Sequence, residues 1–369
     1  MAGIYVHVPF CKSRCIYCGF YSTTRSDLRQ RYVDAVCREV ELRRDYLQEP
    51  VTTICIGGGT PSQLSPAQLR QLFSALGPAD GLQEVTVECN PDDVSDTLAA
   101  LLQELPVNRV SMGVQTFSDQ RLRFLHRRHT AGQIPRAVEL LRGAGIGNIS
   151  IDLMYGFPQE TLDDWHRDID RALSLGVEHL SAYALMIEEG TPLYSLLQQG
   201  RVAETDEELS RQMYYDLKDR LSAAGYEHYE ISNFARPGFR SRHNSSYWNR
   251  TPYLGLGAAA HSFNGHSRQW NVADVEAYIR GVEQQQLDFE LEELDEQTRY
   301  NDFIMTALRT CDGLPLALLS APQRAYCLAQ ARKYIDSGLL VYRESADRLC
   351  LSRDGLFVSD MVMADLMQV

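Results

Sequence analysis

Strand-like and helix-like segments alternate over roughly the first 225 residues, which restricts this chain to a sheet of mainly parallel strands. Runs of β-branched and apolar residues predict strands over 4–8, 52–56, 85–88, 109–114, 149–153 and 179–185. Amphipathic stretches lie between them. Leu28, Tyr32, Val36 and Val40 recur every four residues, and the 65–76 helix opens on Ser65 as cap and Pro66 at its first position. Further helices are predicted over 95–105, from 118, from 132, and over 161–175 and 206–224. Some six β–α units in series need crossover helices, so the expected fold is α/β, a parallel sheet curving into an open, partial (β/α)6 TIM-like barrel. The Gly-Gly-Gly-Thr loop at 57–60, Glu88, Gln115 and Asp152 all fall at or just past the C-terminal ends of predicted strands. That rim is where α/β barrels build their chemistry.

The pattern changes after residue 225. A further strand is predicted over 226–232, a stretch rich in Gly, aromatic residues and Arg fills 233–270, and helical character returns near 272–285. Helices over 297–311 and 323–337 and a hairpin of 338–343 with 348–351 predict a small C-terminal domain of winged-helix type. The expected organisation is a core barrel over 1–232, a segment over 233–287 packed on it, and the small domain over 296–369. The acidic run 288–296 reads as a solvated linker.

Cys11, Cys15 and Cys18 stand within eight residues, directly after the first predicted strand. Three thiolates can hold a cubane iron–sulfur cluster while leaving one iron without a protein ligand, whereas electron-transfer clusters use four cysteines. An open metal position is what separates reactive sites from structural ones. A structural zinc site is the alternative, with His7 as a fourth ligand, although His7 alternates with Tyr5 and Val6 in a short strand. Nine cysteines is an odd number and no secretory signal is visible, which disfavours a disulfide framework. The other six are isolated, and most read as small buried apolar residues.

The net charge of −13 disfavours a nucleic-acid binder, and no apolar run reaches the ~20 residues of a membrane span. With no targeting sequence before the first strand, the expected location is the cytoplasm, where thiolates stay reduced. The triple glycine lets backbone approach a ligand closely, but no G-K-[ST] follows it, so it is not a P-loop. Glu88 and Asp152 could each merely cap a helix, and Arg127, in His-Arg-Arg-His, could be a solvated surface cation. On one rim with a cysteine loop they form a socket for a small zwitterion.

These motifs, in order C-x3-C-x2-C, G-G-G-T-P, E-C-N-P, S-M-G-V-Q-T-F and I-D-L-M-Y-G-F-P, resemble those of the radical S-adenosylmethionine (SAM) enzymes. Within them the chain resembles the group of oxygen-independent coproporphyrinogen III oxidases and their heme-chaperone relatives, over nearly its full length. The resemblance implies a [4Fe–4S] cluster on Cys11, Cys15 and Cys18, whose open iron chelates SAM. It implies that Tyr5, Gly58, Gly59, Thr60, Glu88, Gln115, Arg127, Asp152 and, by a looser match, Ala184 contact that cofactor. One electron from the cluster would cleave SAM to methionine and a 5′-deoxyadenosyl radical, the cofactor carrying the chemistry and the protein orienting it.

Two places separate oxidase from chaperone. The oxidase pattern carries a fourth cysteine where this chain has Phe20, and an N-terminal extension where this chain has three residues before Ile4. Both count against decarboxylase chemistry. His243-Asn244-Ser245-Ser246-Tyr247-Trp248 is similar to the chaperones' H-N-x-x-Y-W heme-binding motif, implying His243, Asn244, Tyr247 and Trp248 as heme contacts. Independently, residues 231–273 hold no Asp or Glu in 43 positions but five Arg, which suggests an anionic ligand such as the heme propionates. Tyr247, Trp248 and Tyr253 could pack on a porphyrin, and His243 and His261 could ligate its iron. The plainer alternative is that His243 and Asn244 tie a loop to the barrel while the arginines face the acidic remainder of the chain. The implied partners are heme, acceptor hemoproteins such as respiratory-chain components, and an electron donor such as a flavodoxin or ferredoxin. The runner-up function is a radical enzyme acting on coproporphyrinogen or another tetrapyrrole.

Overall fold

A computed structural model describes residues 1–368; Val369, the last residue of the expected small domain, lies outside the described residues. Six strands in sequence order form the centre of one sheet: β1 (Ala2–Val8), β2 (Val51–Gly58), β3 (Glu84–Cys89), β4 (Arg109–Gln115), β5 (Asn148–Tyr155) and β6 (His179–Ala184). Every adjacent pair is parallel. The crossovers carry α1 (Arg29–Leu42), α2 (Pro66–Leu76), α3 (Asp96–Glu104), α4 (Asp119–Phe124) with α5 (Gln133–Gly143), and α6 (Leu162–Ser174). Helices α7 (Pro192–Gln198) and α8 (Glu207–Ala223) follow β6. This is the partial barrel expected from the alternation. Local chemistry fixes the helix starts: Ser65 and Gln68 close a capping box on α2, and Thr161 and Asp164 close one on α6.

The sheet extends at both edges to twelve strands. The strand expected over 226–232 is β7 (Glu227–Glu230), which turns back at once into the antiparallel β8 (Asn233–Ala235), with β8 on β6. After α9 (Arg242–Trp248), β9 (Tyr253–Leu256) runs parallel to β1, and β10 (His261–Phe263) and β11 (Ser267–Asn271) continue antiparallel. Helix α10 (Val275–Glu283) packs on α1, and the carboxylate of Glu39, fully enclosed, ties the two regions. It accepts from Gly257 N at 2.8 Å, Asn271 Nδ2 at 2.8 Å and the Tyr278 hydroxyl at 2.6 Å.

The acidic run expected to be a linker is the edge strand β12 (Phe289–Glu293), antiparallel to β11. Glu292 sits opposite Arg268 and pairs with it at 3.1 Å. A row of carboxylates on an edge strand discourages further pairing, so charge here marks an edge rather than a loop. Beyond it, α11 (Glu296–Leu308), β13 (Leu314–Pro315), α12 (Ala321–Asp336), β14 (Leu340–Arg343), β15 (Arg348–Leu351) and, after α13 (Arg353–Phe357), whose Leu356 and Phe357 pack on the first core, α14 (Ser359–Leu366) surround a second apolar core. Its three-stranded sheet has the order β13-β15-β14.

At the N-terminal ends of the strands the interior is polar, and α9 closes it. Glu84, the first residue of β3, accepts from the α9 N-terminus through Arg242 N at 2.8 Å, His243 N at 2.9 Å and Ser241 Oγ at 3.2 Å. Ser241 N donates to the Tyr229 hydroxyl at 3.3 Å, which meets His179 Nε2 at 2.7 Å, while His179 Nδ1 meets Ser150 Oγ at 2.8 Å. The chain of contacts runs from β5 and β6 across to β3, so the open sheet is curved around a plug. Replacing Glu84 by Ala strips three donors of a charged acceptor inside the protein. It should cost about 2 kcal/mol or more of stability, read as a lower denaturant midpoint.

Candidate functional site

The cysteine loop leaves β1 at the opposite, C-terminal rim. Its ends are pinned by Cys11 N to Thr23 O at 2.9 Å and Thr23 N to Pro9 O at 2.7 Å. Its middle is held from both sides, by Ile16 N on Leu125 O at 3.3 Å and Leu193 N on Ile16 O at 2.9 Å. Cys11, Cys15 and Cys18 are free, half-buried thiols facing one cavity of about 630 Å³. Burial pushes the Cys11 and Cys18 thiols up, a penalty that coordination to iron would reverse because a metal-bound thiol is deprotonated. Thr60 Oγ1 and Arg127 Nη1 each lie 3.7 Å from a cysteine sulfur, those of Cys11 and Cys15 respectively, so both sulfurs have donors suited to a thiolate.

The glycine turn is forced by its neighbours. A Cβ on Gly57 would lie 2.7 Å from the Glu88 carboxyl carbon, and one on Gly59 would lie 2.7 Å from the Pro9 carbonyl carbon. Gly58 adopts φ +107°, and a Cβ there would strike the His7 ring at 2.6 Å. The turn aims the Gly58 amide at Glu88 Oε2, 3.1 Å away. Burial, and next the charge of Asp152, push the Glu88 carboxyl up to about 7. Burial likewise raises Asp152, against a hydrogen bond from Ser111 at 3.5 Å.

Arg127 is locked in place by Asn90 Oδ1 at 2.5 Å and by the carbonyl of Gly113, while its buried Nε has no partner among the described residues. Gly113 is needed because a Cβ would meet Gln115 Nε2 at 2.9 Å and Arg127 Nη2 at 3.0 Å. Gln115 itself is left-handed at φ +66°, strain of the kind stored at functional sites.

Gly58, Gly59, Thr60, Glu88, Gln115, Arg127, Asp152 and Ala184 therefore line the same cavity as the three cysteines. Tyr5 does not line it. It sits deeper in the barrel, with its hydroxyl 3.1 Å from His7 Nδ1 and its ring 6.5 Å from that of His243. Asn90, Tyr17 and Ser111 line the cavity without having been singled out from the sequence. Asn90 had a readable signal, its place in E-C-N-P two residues after Glu88.

The H-N-S-S-Y-W residues lie on the plug, at the other end of the barrel. His243 is 1% exposed, with Nδ1 3.0 Å from Thr53 Oγ1 and Nε2 2.9 Å from the Tyr247 hydroxyl. Burial, then the charge of Arg109, push its imidazole down to about 3. Tyr247 is edge-on to Tyr253 at 4.7 Å, and Arg309 lies 5.0 Å over the Trp248 ring. Asn244 is half-buried on the same helix. Nor do the five arginines converge. Arg240 pairs with Glu227 and Asp312, Arg268 with Glu292 and Asp302, Arg242 bonds Gln83, and Arg236 and Arg250 cover Tyr226 and Phe303. Two of the five thus face carboxylates of the chain itself, and the other three are spread over an amide and two aromatic rings.

Three thiols on one loop, above a glycine turn and paired carboxylates on the C-terminal rim of a partial barrel, define a radical SAM protein. Residues 5–172 match the Radical SAM superfamily and residues 294–358 the HemN C-terminal domain. The protein named heme chaperone HemW of Mycobacterium tuberculosis is 35% identical over 99% of this chain and 94% of its own length. That of Bacillus subtilis is 40% identical over 76% of this chain and 75% of its own. The coproporphyrinogen III oxidase HemN of Escherichia coli superposes with a TM-score of 0.83 at 21% identity, covering 100% of this chain and 90% of that one; the likeness is one of fold. The chain thus belongs to the HemW family of the radical SAM superfamily. Membership implies a [4Fe–4S] cluster and SAM, and the half-buried thiols with their donors suit such a cluster. Exchanging Cys15 for Ala should leave the far-ultraviolet circular dichroism intact while iron and acid-labile sulfide fall from about four of each per chain to near zero after anaerobic reconstitution.

Proposed function

We propose that this chain binds heme and delivers it to acceptor hemoproteins, as a radical SAM protein without coproporphyrinogen oxidase activity. Likeness over almost its whole length to proteins named heme chaperones carries the reading. Phe20 supports it, standing where the oxidase resemblance puts a fourth cysteine. The rest of the proposal is a core barrel over 1–232, a packed segment over 233–287 and a C-terminal domain over 296–369, acting in the cytoplasm with a flavodoxin or ferredoxin as electron donor. No helix among the described residues is long and apolar enough to cross a membrane.

The cluster would sit on Cys11, Cys15 and Cys18 and supply one electron for reductive cleavage of SAM. The chain's own residues position that cofactor. Glu88, Asp152 and the Gly58–Thr60 turn offer acceptors for an ammonium and hydroxyls, and the unpartnered Nε of Arg127 offers a donor to a carboxylate. Glu88 is neutral below about pH 7 and charged above it, and only the carboxylate pairs with an ammonium. SAM affinity, measured by equilibrium dialysis, should therefore rise several-fold, at most about tenfold, between pH 6 and 7.5. Glu88→Gln should flatten that dependence; an unchanged slope would assign it to another group.

The function is tested by offering the reconstituted protein hemin, and separately coproporphyrinogen III with SAM and a reductant. Stable heme uptake, transfer to an apo-hemoprotein and no decarboxylation are expected. Formation of protoporphyrinogen would instead establish the oxidase.

A further inference from the structure

Heme is a flat apolar disc with two carboxylates on one edge, and a carrier must both hold and release it. The plug offers it no place. Both nitrogens of His243 are engaged, its ring is buried, and freeing it would dismantle the contacts that close the barrel. His261 fares no better. It stacks on Trp270 at 5.8 Å in a separate cavity of about 260 Å³, which Asp288 and Glu290 also line and where propionates would be repelled.

The cluster cavity has a different mouth. Three of the ten exposed large hydrophobic side chains among the described residues line it: Phe20 at 74% exposure, Met186 at 66% and Tyr183 at 42%. Phe20 comes from the cysteine loop, Tyr183 from β6 and Met186 from the segment after it, so the apolar groups flank the opening from two sides. Arg14 lines the same opening, is exposed, and pairs with no carboxylate among the described residues. Lys12 is exposed two residues away. Of the acidic residues near the lip, Asp92 is paired with Arg128, Glu189 is exposed beside Glu188, and Glu188 lies against Gly19, where a Cβ would meet its Oε2 at 2.2 Å. Apolar groups beside unpaired cations match a disc with an anionic edge.

We propose that heme is carried on this lip, its macrocycle against Phe20, Tyr183 and Met186 and its propionates toward Arg14 and Lys12, directly over the SAM cavity. The H-N-S-S-Y-W segment is then the barrel's plug and no part of the heme site. The inference rests on the heme-carrier reading and assigns its site. It also gives the cluster protein a reason to carry heme at this end: bound heme covers the cofactor's exit.

The test uses the full-length reconstituted chain. Phe20 and Met186 are mostly in solvent, so Phe20→Ala with Met186→Ala leaves the core intact, which circular dichroism checks. Hemin titration followed in the Soret band should show affinity at least about tenfold weaker for the double variant and unchanged for folded His243→Gln. Hemin should slow release of radiolabelled SAM from wild type and not from the double variant. Wild-type affinity in the double variant, or loss of binding in folded His243→Gln, would overturn the lip while leaving the carrier function standing. Failure of the wild type to take up hemin would overturn both.

Discussion

Satisfying the polar interior of an open barrel is the constraint on which the rest of this structure depends. A parallel sheet that does not close on itself exposes the inner ends of its strands, and here those ends carry Thr53, Glu84, Arg109, Ser150 and His179, all buried. Buried polar groups without partners cost more than their hydrogen bonds contribute when made. The Glu84 carboxylate resolves this by capping α9 and drawing that helix into the opening. His243 and Tyr247 then complete the network from the other side. The helix that carries the H-N-S-S-Y-W residues thereby closes the scaffold.

With the N-terminal end sealed, the C-terminal rim is free to be irregular. Its strain is concentrated in a few places: the left-handed Gln115, the triple glycine packed against His7, Pro9 and Glu88, and the locked Arg127 guanidinium. Each brings backbone or a charged group closer to the cysteine loop than a regular turn would allow. Low solvent access raises Glu88 and Asp152 together, two carboxyls that share one enclosed space. Exposed large apolar side chains, Phe20, Tyr183 and Met186, stand at the lip, while the buried Met154 is among the residues within.

Periodicity made the six β–α units legible, because strands covered by helices on a parallel sheet read as apolar runs of period-independent burial between amphipathic stretches. It failed where tertiary pairing decides. The acidic 288–296 run has the composition of a linker, yet alternation of Phe289 and Leu291 with carboxylates lets it pair with β11 and hold Arg268. The strand expected over 226–232 stops at Glu230 because the chain reverses into β8, which pairs with β6 and which no local pattern announces.

The same division holds for the site. The sequence by itself determined the cysteine loop, the glycine turn and the strand-end carboxylates, since spacing along a β–α unit places a residue on a rim regardless of how the sheet later curves. Only the tertiary structure decided the fate of His243 and the five arginines. Whether an imidazole or a guanidinium is free depends on what stands opposite it, and Thr53, Glu227, Glu292 and Asp312 are brought there by other elements of the fold. The apolar lip is likewise invisible in the sequence, because Phe20, Tyr183 and Met186 meet only once the barrel has curved.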